Sequence, residues 1–113
     1  MDCLFCQVAS EEAPATIIYQ DDLVIAFDDI YPKAPVHKLI IPIKHIATLN
    51  DLTADDTQVI GHMVQTAKHL ANELSIAGDG YRLIWNCNAG GGQVIYHIHL
   101  HLLGGRSMEW PPG

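Results

Sequence analysis

Residues 97–103 read His-Ile-His-Leu-His-Leu-Leu, an unbroken alternation of imidazole and aliphatic side chains. Successive side chains on a strand point to opposite faces, whereas helical geometry would spread both kinds around the helix. The alternation therefore predicts a strand over Tyr96–Leu103. Ile98, Leu100 and Leu102 form its apolar face, and His97, His99 and His101 line the opposite, polar face. A strand with one apolar face needs neighbours to pair with and a layer to cover it, and the remaining residues must supply both.

They do so in a recognisable order. Leu4, Phe5 and Val8 share a face at helical spacing, which predicts a short helix over residues 3–9 before Pro14. Thr16–Tyr19 and Leu23–Phe27, rich in β-branched and aromatic residues around the polar Gln20-Asp21-Asp22, predict a hairpin. Lys38–Pro42 is a continuous apolar strand. Thr53 with Asp56 resembles a capping box and opens a helix to about Ser75, with Ile60, Met63, Val64, Ala67, Leu70, Ala71 and Leu74 on one stripe. Gly78 and Gly80 punctuate its end, Tyr81–Trp85 is a fourth strand, and residues 88–93 form a glycine-rich loop. The expected fold class is α+β, an antiparallel sheet of about five strands covered on one face by one long helix, with a short N-terminal helix. Residues 1–113 are enough for a single domain.

Charge narrows the function. A net charge of −7 opposes the clustered basic surface that nucleic acid requires, so no nucleic-acid partner is expected. No run of apolar residues is long enough to span a bilayer, and Met1–Ser10 lacks the basic, apolar pattern of a signal peptide. The expected setting is the cytoplasm, with no membrane partner. The three cysteines make a poor disulfide framework, although Cys3 and Cys6 are spaced as a metal or redox pair. Cys87 reads as a plain thiol, and His62 and His69 as ordinary residues of the long helix.

Three imidazoles on one face call for a chemical reading. At a rise of about 3.3 Å per residue, the α-carbons of His97 and His101 stand roughly 13 Å apart, too far for one ion to hold all three rings. A facial triad would need a carboxylate beside the pair, and none lies between His101 and Glu109. Imidazole itself, with a pKa near 6.5, is both nucleophilic and protonatable at neutral pH, so neighbouring rings can divide those tasks. Phosphorus chemistry suits the division, because a phosphorus–nitrogen bond to imidazole is labile to water. The upstream Asn88-Ala-Gly-Gly-Gly-Gln93 offers backbone amides for phosphate oxygens.

His97-Ile-His-Leu-His-Leu-Leu103 resembles the signature of the histidine triad family. The segments FDDIYPKAPVHKLIIPIKHI, GGGQ, YHIHLHLLGGR and WPPG are similar to its nucleotide-binding branch over essentially the whole chain. The resemblance implies a homodimeric α+β protein that binds purine nucleotides (AMP- or GMP-like) and hydrolyses nucleoside phosphoramidates through a covalent nucleotidyl-histidine. It implies His99 as the nucleophile and His101 as the phosphate-side partner that assists the leaving group. His97 organises the strand, and His37 is a supporting histidine behind the triad. For binding it implies Leu4, Phe5, Val8, Phe27 and Ile30 around the base, Asp29 at the ribose, and Asn86, Gln93, Val94, His99 and His101 near the phosphate. Trp110 is implied as a leaving-group and dimer contact. Two positions depart from the pattern: Val94 stands where many relatives have serine, and Asp28 where some have histidine, adding negative charge beside the ribose site.

Cys3-x-x-Cys6 supplies half of a tetrahedral zinc site, and His45 with His97 would complete it, an arrangement some relatives of the family carry. A structural zinc is thus expected, and no catalytic metal. Other readings stay open: a nucleotide-binding regulatory module with little turnover, a dinucleoside polyphosphate hydrolase, or a metal-dependent enzyme centred on the histidine strand.

Overall fold

The computed structural model describes residues 3–113. Helix α1 (Leu4–Ala9) precedes strands β1 (Ile17–Gln20), β2 (Val24–Asp28) and β3 (Val36–Pro42). Two single 3-10 turns, Leu49–Asp51 and Ala54–Asp56, lead into α2 (Thr57–Glu73). Strand β4 (Tyr81–Trp85), a 3-10 turn at Ala89–Gly91 and β5 (Leu100–Gly104) complete the chain. The five strands form one antiparallel sheet in the order β1-β2-β3-β5-β4. The histidine strand is therefore interior, with Leu39 opposite His101 on one side and Ile84 opposite it on the other.

Alternation sorts the two faces. Val24, Ala26, Ile40, Ile98, Leu100 and Leu102 pack against Met63, Ala67, Leu70 and Ala71 of α2. Ile25, Phe27, Leu39 and Ile41 point the other way and pack against Phe5 and Val8 of α1. The sheet thus packs against a helix on both faces, only partly on the α1 side, which corrects the expectation of a single covering layer. The signal was present in Val24-Ile-Ala-Phe27 and Leu39-Ile-Ile41, because strands buried on both sides read as continuous apolar runs. Fully burying each of Ile25, Ile40 and Ile41 contributes about 1.5–3 kcal/mol. The face under α1 is the one that carries the imidazoles, so the polar face expected for them is a second, partly filled core.

The ends of the long helix and the start of β5 differ from expectation for identifiable reasons. The turn at Ala54–Asp56 tightens the start of the long helix, and the Asp56 carboxylate accepts the Thr53 N–H at 3.0 Å. At its other end Ser75 takes a left-handed φ of 61° and Ile76 N–H donates to Ala71 O, so the stop lies ahead of Gly78. Met63, Ala67, Leu70 and Ala71 of the predicted stripe are buried, while Val64 and Leu74 are exposed. The largest difference is β5, which begins at Leu100 rather than Tyr96. The ladder cannot extend further, because Pro42 has no N–H to donate and its carbonyl accepts the His97 Nε2–H at 2.7 Å. His97 and His99 ride on the extended approach to the strand, anchored by Ile98 N–H donating to Ile46 O at 2.8 Å.

Candidate active site and metal cluster

Helix α1 is only six residues long and leaves part of the sheet uncovered. A cavity of about 670 Å³ opens there, within the size range of small-molecule sites. Leu4, Phe5, Val8, Phe27 and Ile30 form its apolar walls, and Asp29, His37, Asn86, Val94, His99 and His101 also line it. Phe5 is mostly core: its ring meets Phe27 edge-on at 5.4 Å and His99 at 5.1 Å. Ile30 and Val94 are exposed at the rim.

Hydrogen bonds to fixed partners decide which nitrogen of each ring carries its proton. His99 Nδ1 lies 2.9 Å from the carbonyl oxygen of His97, which can only accept, so Nδ1 bears the hydrogen and Nε2 keeps its lone pair. Lys33 N–H donates to His37 Nδ1 at 3.0 Å, so the His37 hydrogen is on Nε2 and is given to His101 Nδ1 at 2.9 Å. His101 then carries its hydrogen on Nε2. That atom is buried and has no hydrogen-bond partner among the described residues. His37 and His101 have ring centroids 5.2 Å apart, about the N···N distance of 2.9 Å plus two ring radii, so they meet nitrogen to nitrogen in line.

Burial keeps these rings neutral. It depresses His99 and His37 below the usual histidine value, against the pull of the His97 carbonyl on His99 and of Asp29 on both. His101 is pushed down to about 4 by burial and by its neighbours His99 and His37. Asp29 accepts the Tyr31 N–H at 2.8 Å through Oδ1, and its Oδ2 lies 3.4 Å from His37 Nε2. The extra negative charge of Asp28 is countered within the fold, since Lys38 Nζ donates to it at 2.6 Å.

Gln93 and the glycine-rich loop are placed otherwise than expected. Gln93 is buried and turned inward: Nε2 donates to Ala47 O and Ile95 O, while Oε1 accepts the Asn88 N–H. Its side chain therefore shapes the loop and does not line the cavity. The loop amides are also committed, with Gly91 and Gln93 donating to Asn88 O and Gly92 to Ala89 O. The amide cradle expected of the loop is thereby largely closed, because a tight turn satisfies its own donors. Trp110 is 83% exposed and lies outside the cavity lining. His97 does not line the cavity either. The sequence reading overlooked Lys33, whose backbone sets the tautomer of His37, and Lys38; a main-chain donor leaves no mark on side-chain identity.

His97 belongs to a second constellation, beneath α1. Cys3, Cys6, His45 and His97 place one ligand atom each within 4.8 Å of one another. His97 Nε2 is occupied by Pro42 O, which leaves Nδ1 bare and turned toward the cluster. It lies 3.2 Å from His45 Nδ1, 3.5 Å from Cys3 Sγ and 3.4 Å from Cys6 Sγ, and Cys6 Sγ is 3.2 Å from His45 Nδ1. A tetrahedron with metal–sulfur bonds of 2.3 Å and metal–nitrogen bonds near 2.0 Å has N···N edges of about 3.3 Å and S···N edges of about 3.5 Å. The His45 and His97 nitrogens are farther apart than those of His37 and His101, yet their ring centroids are closer, at 5.1 Å. Their lone pairs are therefore bent toward a shared centre, and the donor set fits a tetrahedral ion such as zinc. Burial and the adjacent Cys3 push the Cys6 thiol up to about 11, a bias that a divalent ion reverses.

The HIT domain family profile matches residues 10–108. The chain is 51% identical over 107 residues to the purine nucleoside phosphoramidase of Escherichia coli K12, covering 95% of this chain and 90% of that protein. Among solved structures, a HIT family hydrolase from Legionella pneumophila superposes with a TM-score of 0.98 at 54% identity, covering 99% of this chain and all of that one. A histidine triad protein from Clostridium difficile gives a TM-score of 0.94 at 38% identity, covering 96% and 95% of the two chains. With family, sequence and fold in agreement, the chain belongs to the HIT domain family of histidine triad proteins.

Proposed function

We propose that the protein is a hydrolase of purine nucleoside phosphoramidates acting through a nucleotidyl-His99 intermediate. The observation that carries this reading is the fixed tautomer of His99, whose Nδ1–H is held by the His97 carbonyl while Nε2 presents a lone pair. A nucleophile restrained in this way needs no deprotonation before attack. Its Nε2 attacks phosphorus as the phosphorus–nitrogen bond breaks, and the departing nitrogen takes a proton to leave as the amine. His101, through its unpartnered Nε2–H, hydrogen-bonds the leaving-group side, and the proton that the nitrogen takes comes from solvent. Water then attacks phosphorus, the bond pair returns to Nε2, and the nucleoside monophosphate leaves with release of the proton consumed earlier. The cycle is proton-neutral, and none of its steps requires a metal.

The apolar walls suit a flat purine, and Asp29 Oδ2 at the rim of the His37 pair is the acceptor for ribose hydroxyls. The similarity to the E. coli phosphoramidase supports this substrate class. We read residues 1–113 as one domain and Cys3, Cys6, His45 and His97 as a structural zinc site. Bound there, zinc supplies cross-linking of α1 to the segments bearing His45 and His97, and no reaction chemistry. Thiol ligands of this kind fit a reducing cytoplasm. A second copy is proposed to cover the outer edge of β4, which pairs only with β5 in the single chain, and the exposed Trp110.

The test is incubation with adenosine 5′-phosphoramidate. Release of AMP, with a nucleotide-mass adduct trapped by alkaline quench and abolished in His99→Ala, is the expected result. Nucleotide binding without AMP release would establish a binding module instead.

A further inference from the structure

On its Nδ1 side the tautomer of His37 is set by one main-chain N–H, that of Lys33. Lys33 sits in the loop between β2 and β3, which contains Pro32 and Pro35, and the tail after β5 contacts this loop. Arg106 Nε donates to Lys33 O at 3.1 Å, while its Nη1 donates to Ser107 O at 3.1 Å and so braces the guanidinium against its own chain. One residue earlier, Gly105 adopts φ +86°, and a Cβ there would stand 2.9 Å from Pro35 Cβ. Two features thus press the tail onto the same loop: a left-handed glycine that permits the close approach, and an arginine that grips a carbonyl.

We propose that Gly105 and Arg106 form a positioning clasp that holds the Lys33 peptide in place, and through it fixes His37 with its hydrogen on Nε2 and His101 with its hydrogen on the cavity side. The route is short. Arg106 fixes Lys33 O, Lys33 N–H caps His37 Nδ1, and His37 Nε2–H fills His101 Nδ1. If Lys33 drifts, His37 Nδ1 loses its donor and the ring is free to carry its hydrogen there. His101 Nδ1 then has no proton to accept and can take the hydrogen itself, leaving nothing on Nε2 for a leaving group. Arg106 is a positioning residue: it is not part of the cavity lining itself and reaches the imidazoles only through Lys33.

The catalytic consequence rests on the role assigned to His101 above, but the tautomer can be read without any reaction. In nitrogen-15 spectra of histidine-labelled wild-type protein, His37 is expected to show a bare Nδ1 and a protonated Nε2. Arg106→Ala and Gly105→Ala should each move His37 toward a mixture of tautomers. With adenosine phosphoramidate, kcat should fall about fivefold, as for loss of one orienting hydrogen bond, with KM little changed. Arg106→Lys, which can still donate to the carbonyl, should recover part of both signals. Unchanged His37 resonances in both alanine variants would overturn the clasp, as would a loss of kcat with the wild-type tautomer intact. A shifted tautomer with full kcat would support the clasp and sink the role given to His101.

Discussion

Two histidine pairs in this molecule have rings almost equally far apart, 5.1 Å for His45 and His97 and 5.2 Å for His37 and His101. Their chemistry is opposite. In the first, nitrogens 3.2 Å apart both turn toward a third point that two cysteine sulfurs also face. In the second, nitrogens 2.9 Å apart face each other in line and share one hydrogen. Converging lone pairs suit a cation, whereas opposed ones leave no room for it between the rings, because two metal–nitrogen bonds in line would span about 4 Å. The lesson is that direction, more than proximity, separates a metal site from a proton-sharing pair. His99 stands between the two, held by the His97 carbonyl and meeting the His101 ring at 5.0 Å.

The sharpest way to break the comparison is to remove His99. Hydrolysis in His99→Ala should fall by about 10³-fold or more, while zinc content measured by elemental analysis stays at the wild-type level. A variant that lost its metal as well would merge the two regions into one. On the other side, Cys6→Ser should abolish metal binding and lower the thermal midpoint by about 10 °C, as expected when a bound ion that contributed about 2–3 kcal/mol is lost. Wild-type protein that carries no metal and melts unchanged in chelator would overturn the cluster.

Acid should expose the proton-sharing pair. The folded-state value of His101 is depressed to about 4, so the unfolded chain binds more protons between that value and about 6.5. Stability therefore rises with pH across this window and is lost as pH falls through it. The loss due to His101 amounts to as much as about 3 kcal/mol. Urea titrations of wild type and His101→Gln at pH 7 and pH 4.5 should show a smaller acid loss in the variant; equal losses would mean that His101 is not the group responsible. The mildest probe is His37→Gln, expected to cost about tenfold in kcat through disorder of His101, with zinc content untouched. Unchanged turnover would remove His37 from the working site.

The strand Tyr81–Trp85 has the boundaries its sequence predicts, and both helices and all five strands were legible from periodicity and turn residues. Boundaries slipped at β5, where a partner from far along the chain intervened, and at the end of α2, where a local left-handed residue did. Pro42 cut the ladder at Leu100, and Ser75 ended α2 ahead of the glycines. Cavity-lining residues carried over well where they are side chains on regular elements, such as Phe27 and His101. Gln93 and the glycine loop did not, because their donors and acceptors are satisfied locally in a turn whose path composition does not specify.

By itself, the alternation in residues 97–103 determined that Ile98, Leu100 and Leu102 would enter the core and that three imidazoles would share the other face, since a two-residue period leaves no alternative. The sequence also showed Cys3 and Cys6 at the spacing of a metal-binding pair. Only the tertiary structure decided how the three imidazoles divide, because a ring's proton sits where its partners put it. Those partners, Pro42 and His45 for His97, and Lys33 by way of His37 for His101, arrive from segments more than 50 residues away.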